Sequence, residues 1–175
     1  DNSPVQEIPE ESKGFSVEKT FNDDIVSMDQ ILPILLEQCD VLATRMRRKG
    51  KKCTCISVTF RTLDFKNRSH QTKLANATDM TDEIYENARR LFGEFWKGQP
   101  LRLVGIALTG LTEDGFEQMS LFEDNSKKEQ KKKLDAAMDS IRIKFGNDKI
   151  TRARIMNSKS GIGRKAKAQM ENKDY

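Results

Sequence analysis

Three short runs of alternating residues place hydroxyl, amide and charged side chains at every second position. Ser16, Glu18 and Thr20 form the first, Ser57, Thr59 and Arg61 the second, and Ser69, Gln71 and Lys73 the third. Side chains two apart share one face of an extended strand, so each run presents a single polar face. Hydroxyls, amides and a few cations can position phosphate oxygens without reading sequence. The same pattern also describes the ordinary solvated side of a half-buried antiparallel sheet. Residue types alone leave both readings open.

Catalytic chemistry has little to stand on. The one histidine, His70, lies beside Ser69 with no carboxylate and nucleophile at triad spacing. The carboxylates are scattered over helical stretches, and no pair is singled out. Cys39, Cys53 and Cys55 are an odd number, and no second cysteine pair or nearby histidine completes a zinc site. Within a strand, Cys53 and Cys55 are expected to share one face, as buried thiols in a reducing cytosol. Gly161-Ile162-Gly163 is not followed by the residues of a nucleotide-binding loop. The chain therefore reads as a binding module and not as a complete enzyme.

The elements that must carry these residues follow from periodicity. Phe15, Val17 and Phe21 oppose Ser16, Glu18 and Thr20 in a first strand from Gly14, ended by Asn22-Asp23-Asp24. Ser27 and Gln30 fit a capping box that opens a helix. Its apolar stripe is Ile31, Leu35, Cys39, Leu42 and Met46, with Pro33 in the early turns and Gly50 as the cap. Cys53 to Ala75 reads as a hairpin with Ile56, Val58 and Phe60 inward, a polar break at Lys66, Asn67 and Arg68, and a more polar second strand whose phase the loop leaves open. Thr81 or Asp79 can cap a second helix with the stripe Ile84, Ala88, Leu91, Phe92 and Phe95. Gly98 and Pro100 end it, and Leu101 to Leu111 is a fourth strand. The order β-α-β-β-α-β is ferredoxin-like, an α+β fold. Its four-stranded antiparallel sheet carries both helices on one face, and the polar runs fall on the other.

Length and charge bound the rest. A chain of 175 residues is one domain with tails, and its net charge is +4. From Lys127 to Tyr175, 15 Lys and Arg stand against 6 Asp and Glu, a net of +9, which leaves the preceding 126 residues at −5. A basic end of this kind suits nucleic acid, or is simply solvated. Five lysines between Lys127 and Lys133 oppose the dipole of a C-terminal helix with the stripe Leu134, Met138, Ile141 and Phe145, so its first turn is expected to fray. Ile150 to Met156 could dock this helix. Gln118-Met119-Ser120-Leu121-Phe122 places large apolar residues among acidic and polar ones, the pattern of a peptide that fills another protein's groove. The expected division is a linker at 1–12, the sheet domain at 13–112, a loop at 113–126, a basic helical segment at 127–156 and a disordered basic tail at 157–175. No apolar run is long enough to span a membrane, and the acidic start is no signal peptide. The expectation is a cytoplasmic monomer and, since the chain does not begin with Met, a fragment of a longer protein.

Four stretches and the apolar loop resemble the C-terminal part of Y-family translesion DNA polymerases of the bacterial DNA polymerase IV type. Asn2-Ser3-Pro4-Val5 resembles the connector after the thumb. Lys13-Gly14-Phe15-Ser16-Val17-Glu18-Lys19-Thr20-Phe21 resembles K-S-I-G-x-E-x-T-F, departing at Gly14 and Ser16. Asp64-Phe65 followed by Ser69-His70-Gln71 resembles D-F-x-x-x-T-R-S, and Arg102-Leu103-Val104-Gly105-Ile106 resembles R-L-x-G-V. Gln118 to Phe122 is similar to the Q-L-S/D-L-F clamp-docking motif. The resemblance implies a little finger domain with a reversed ferredoxin-like strand order, whose sheet grips primer–template duplex DNA by its backbone. The implied contacts are Ser16, Glu18, Thr20, Ser57, Thr59, Arg61, Ser69, His70, Gln71, Lys73 and Arg102. His70 and Gln71 stand where the family often has Arg and Ser; a neutral histidine would still donate one hydrogen bond. Gln118, Met119, Ser120, Leu121 and Phe122 would dock on the sliding clamp. The family's catalytic palm and its Mg2+ lie upstream, so no cofactor and no nucleotide incorporation are expected of this region. An RNA-binding module of the RRM type shares the element order, but its sheet needs stacking aromatics where Ser, Thr and Arg stand here.

Overall fold

The computed structural model describes residues 14–113, 125–148 and 150–152. Strand β1 (Gly14–Ile25) continues past the expected stop at Asn22–Asp24. Those three residues are exposed, and the register shifts between Thr20 and Ile25, so a bulge carries the chain on to the buried Ile25. Helix α1 (Met28–Arg48) opens on the expected capping box. Ser27 Oγ accepts the Gln30 N–H at 3.3 Å, and Gln30 Oε1 accepts the Ser27 N–H at 3.2 Å. Its stripe Ile31, Leu35, Cys39, Leu42 and Met46 is wholly buried. Gly50, with φ 63°, takes the left-handed turn that starts the next strand.

Strands β2 (Lys51–Thr62) and β3 (Asn67–Thr78) form the hairpin. The break between them is shorter than the polar run suggested, because Asn67 and Arg68 pair with Arg61 and Phe60 inside the ladder. An edge strand with polar side chains reads like a loop in sequence. The turn itself closes with Phe65 N–H to Thr62 O at 3.1 Å, and Phe65 adopts φ 61°. Cys53 and Cys55 do not share a face as expected. The register slips between them; Cys53 joins the core, while Cys55 Sγ lies 3.9 Å from Gln71 Oε1 on the opposite side.

Helix α2 (Thr81–Phe95) buries Ile84, Ala88, Leu91 and Phe92. Neither Thr81 nor Asp79 caps it. The N-cap position is Met80, and the Thr81 N–H donates instead to Asp135 Oδ2 at 3.1 Å, a carboxylate 54 residues away. Trp96 then turns inward and donates Nε1–H to Gln99 O at 2.8 Å before β4 (Leu101–Thr109). Thr112 and Glu113, where the strand pattern breaks in sequence, form a short β5 on Lys52 and Lys51.

The sheet order is β1-β4-β2-β3 with every neighbour antiparallel, so β4 slots between β1 and β2. Helix α1 packs on β1 and β4, and α2 on β2 and β3, which makes the expected α+β architecture with one helical layer. Between the layers lie Phe60, Phe92, Leu101, Val104, Ile106 and Leu108. Gln38, buried on α1, donates Nε2–H to Val104 O at 3.0 Å, which ties the helix to the central strand.

Helix α3 (Asn125–Phe145) docks on α1 and the start of α2 mainly by charge, with Met138 the one residue of its expected stripe that is buried. Leu134 and Phe145 are 49% and 65% exposed, whereas Asp135, Met138 and Arg142 are buried. Arg142 Nη2 donates to Asp40 Oδ2 at 2.7 Å with both side chains 3% exposed. Arg47 donates Nε–H to Asp139 Oδ2 at 2.7 Å and lies 3.4 Å from Asp135. Arg152 joins Asp135 and Asp82 at 2.8 and 3.2 Å, so the expected dock after Gly146 is ionic; Ala153, Ile155 and Met156 lie outside the described residues. At the lysine-rich start, two of the cations that oppose the helix dipole meet counter-charges: Lys128 and Lys131 face Glu83 and Asp82, both at 3.8 Å, in the first turn of α2. No described helix is long and apolar enough to cross a membrane.

Candidate nucleic-acid interface

Register aligns the polar runs into rows across the open face of the sheet. One row is Ser16, Ala107, Ser57 and Gln71; the next is Glu18, Gly105, Thr59 and Ser69; the third is Thr20, Leu103, Arg61 and Asn67. Gly14, Thr109, Cys55 and Lys73 close the far end. Nine of the expected contact residues, Ser16, Glu18, Thr20, Ser57, Thr59, Arg61, Ser69, Gln71 and Lys73, thus fall on one surface. The third strand takes the phase that puts Ser69, Gln71 and Lys73 outward.

The outer strands are polar and the central one is small. Gly105 and Ala107 sit between Glu18 and Thr59 and between Ser16 and Ser57, so the middle of the face is a shallow floor. A methyl group at Gly105 would stand 2.8 Å from Glu18 Cγ and 3.1 Å from Val17 O. The hydroxyls link up: Ser57 Oγ and Ser69 Oγ are 3.1 Å apart, and Thr59 Oγ1–H donates to Ser69 Oγ at 3.1 Å. Arg61 Nε–H donates to Asn67 Oδ1 at 2.6 Å, which orients the guanidinium and leaves its remaining N–H groups for another acceptor. Asn67, Leu103, Gly105, Ala107, Thr109 and Cys55 belong to this face without having been expected as contacts. For the central strand the sequence signal is small residues alternating with large ones; Asn67 was hidden by its loop-like neighbours.

Two expected contacts lie elsewhere. His70 pairs with Val58 and therefore points to the helical side, since neighbours in a strand cannot share a face. Its ring stacks on Phe95 with centroids 3.6 Å apart and planes 6° apart. Arg102 sits at the sheet's end beyond the rows, where Nε–H donates to Asp24 Oδ1 at 2.8 Å. Gln118, Met119, Ser120, Leu121 and Phe122 lie outside the described residues. Among the described residues, no group of three or more His, Cys, Asp and Glu is arranged to hold a metal ion.

Two of the thiols are chemically quiet. Burial pushes Cys53 up to about 12 and Cys39 further still, with Asp40 and Cys53 adding to the latter.

The profile of the impB/mucB/samB family C-terminal domain matches residues 12–121. The chain belongs to this family. It is 38% identical over 156 residues to DNA polymerase IV of Clostridium acetobutylicum, covering 89% of this chain and 39% of that protein. It is 38% identical over 127 residues to DNA polymerase IV 2 of Bacillus subtilis, covering 71% and 30%. The chain thus spans about two fifths or less of these curated relatives. The fold is shared with Dbh DNA polymerase in an insertion ternary complex, at a TM-score of 0.52 and 18% identity over 59% of this chain and 30% of that one. DinB from Sulfolobus solfataricus gives a TM-score of 0.51 over 58% and 29%. The expected resemblance to the C-terminal region of Y-family polymerases is correct, and the sheet described above is that region's fold.

Proposed function

We propose that this impB/mucB/samB C-terminal domain grips primer–template duplex DNA by its backbone for a translesion polymerase that contributes to damage tolerance. The observation that carries the reading is the alignment of Ser16, Thr20, Ser57, Thr59, Arg61, Ser69, Gln71 and Lys73 into one open, hydroxyl-rich face with a flat floor. Such a face positions phosphates and carries no base code. It contains no aromatic residue among those described, which disfavours the stacking of single-stranded RNA bases. Gln118 to Phe122 would hold the polymerase on a sliding clamp. Polymerisation and its Mg2+ belong to upstream carboxylates, so the region itself carries out no phosphoryl transfer.

The test is duplex binding by the 175-residue chain and by an Arg61→Ala/Lys73→Ala variant. Removing two phosphate-directed cations should weaken binding about 10-fold or more, equally for duplexes of unrelated sequence. Unchanged affinity, or a loss confined to one sequence, would sink the backbone-gripping reading.

A further inference from the structure

Glu18 places a carboxylate in the middle row of the face that would hold phosphates, on its edge strand β1. It is exposed, and it lies in one row with Gly105, Thr59 and Ser69. Asp24, the nearest comparison on the same strand, pairs with Arg102 at 2.8 Å; Glu18 has no such partner among the described residues. Its neighbours on β1, Ser16 and Thr20, are neutral hydroxyls. Because β1 is an edge strand, a glutamate there could swing out into water. The missing side chain at Gly105 instead lets the Glu18 stem lie against the central strand, since a methyl there would stand 2.8 Å from Glu18 Cγ. The stem of Glu18 thus lies over the β4 backbone on the side of the open face, with Thr59 across Gly105 in the same row and Arg61 in the next.

We propose that Glu18 is an affinity-limiting residue of the duplex track, set among the hydroxyls so that the phosphate backbone is held but not fixed. The proposal rests on the reading of this face as a duplex track. Like charges a few ångströms apart repel, and the repulsion is screened beyond a Debye length of about 10 Å at 0.1 M salt. A gripping surface that must release and re-form its contacts as duplex moves past gains from such an opposing charge. Hydroxyls alone would supply geometry without that opposition.

The test uses fluorescence anisotropy of a labelled duplex with the full 175-residue chain, Glu18→Gln and Glu18→Ala, across a salt series, with melting curves to confirm folding. Both variants should bind about 3–10-fold tighter at 50 mM salt, and the difference should shrink to less than about twofold at 300 mM. Tightening by Glu18→Gln but not by Glu18→Ala would assign the gain to a new amide hydrogen bond and overturn the proposal. Equal or weaker binding by both variants, with the unaltered chain still binding duplex, would overturn it while leaving the duplex track standing. If the unaltered chain fails to bind duplex, the track itself is wrong and the proposal falls with it.

Discussion

Burial decides the chemistry of Cys39 and Cys53, both 0% exposed. Their thiols resist ionisation, and a protonated thiol is a poor nucleophile. At pH 8 a thiol reagent should leave these two untouched in the folded chain and label them on unfolding in urea; fast labelling of Cys53 in the native state would contradict its place in the core. Unfolded thiols ionise from about pH 9, while the folded ones stay protonated towards 12. The contribution is complete below 9 and is lost as pH rises through the folded values, so denaturant midpoints should fall above pH 9. Gly105 is a second residue whose identity is fixed by space. Gly105→Ala places a methyl 3.1 Å from the Val17 carbonyl and against Glu18, and is expected to cost about 1–3 kcal/mol in urea unfolding. An unchanged midpoint would show that β1 and β4 yield at this point.

Helix α3 is the element held in the least usual way. Its contact with α1 is centred on Arg142 and Asp40, which exclude water on both sides. Burial works against the charge of Arg47, but the Asp139 hydrogen bond and the carboxylates of Asp135, Asp139 and Asp79 outweigh it and raise its pKa. Asp135 is pushed up by burial, partly offset by Arg47, the Thr81 N–H and Arg152. Arg142→Met leaves the buried Asp40 with only the longer Arg152 Nε contact at 3.7 Å and should cost about 3–5 kcal/mol, whereas Asp40→Leu with Arg142→Met should recover most of the loss. A single variant as stable as the unaltered chain would mean that α3 is not seated on α1. Little of this was legible. Helix α1 was readable because a capping box and one apolar stripe agree. On α3 the apolar and the charged residues both recur at helical spacing, and nothing in Leu134, Met138, Ile141 and Phe145 shows that only Met138 is buried, between Asp135 and Arg142. The two βα halves and the polar face were readable from alternation at Ser16–Thr20, Ser57–Arg61 and Ser69–Lys73. The place of β4 between β1 and β2 was not, since pairing order is a long-range choice that local pattern does not encode. His70 was misplaced for a simpler reason: it was grouped with Ser69 and Gln71 as a motif, although a strand sends neighbours to opposite faces.

At the scale of the whole molecule, α1 and α2 cover one side of the sheet and leave the other as an open surface, and α3 is held to α1 and the start of α2 by ion pairs. A backbone grip on one face and a clamp-docking segment after β5 would let one region hold two partners together. Phe122→Ala is expected to weaken binding to a bacterial sliding clamp about 10-fold or more by calorimetry; unchanged affinity would remove Gln118 to Phe122 from the docking role. On the proposed function, the open face grips duplex by phosphate contacts and not by sequence. The most direct measurement is the affinity of the 175-residue chain for two duplexes of unrelated sequence over a salt series. The expected result is one line for both duplexes on a log–log plot, with a slope of about −0.9 for each phosphate contact and so about −2 from Arg61 and Lys73. A flat line, or two lines separated by sequence, would contradict it.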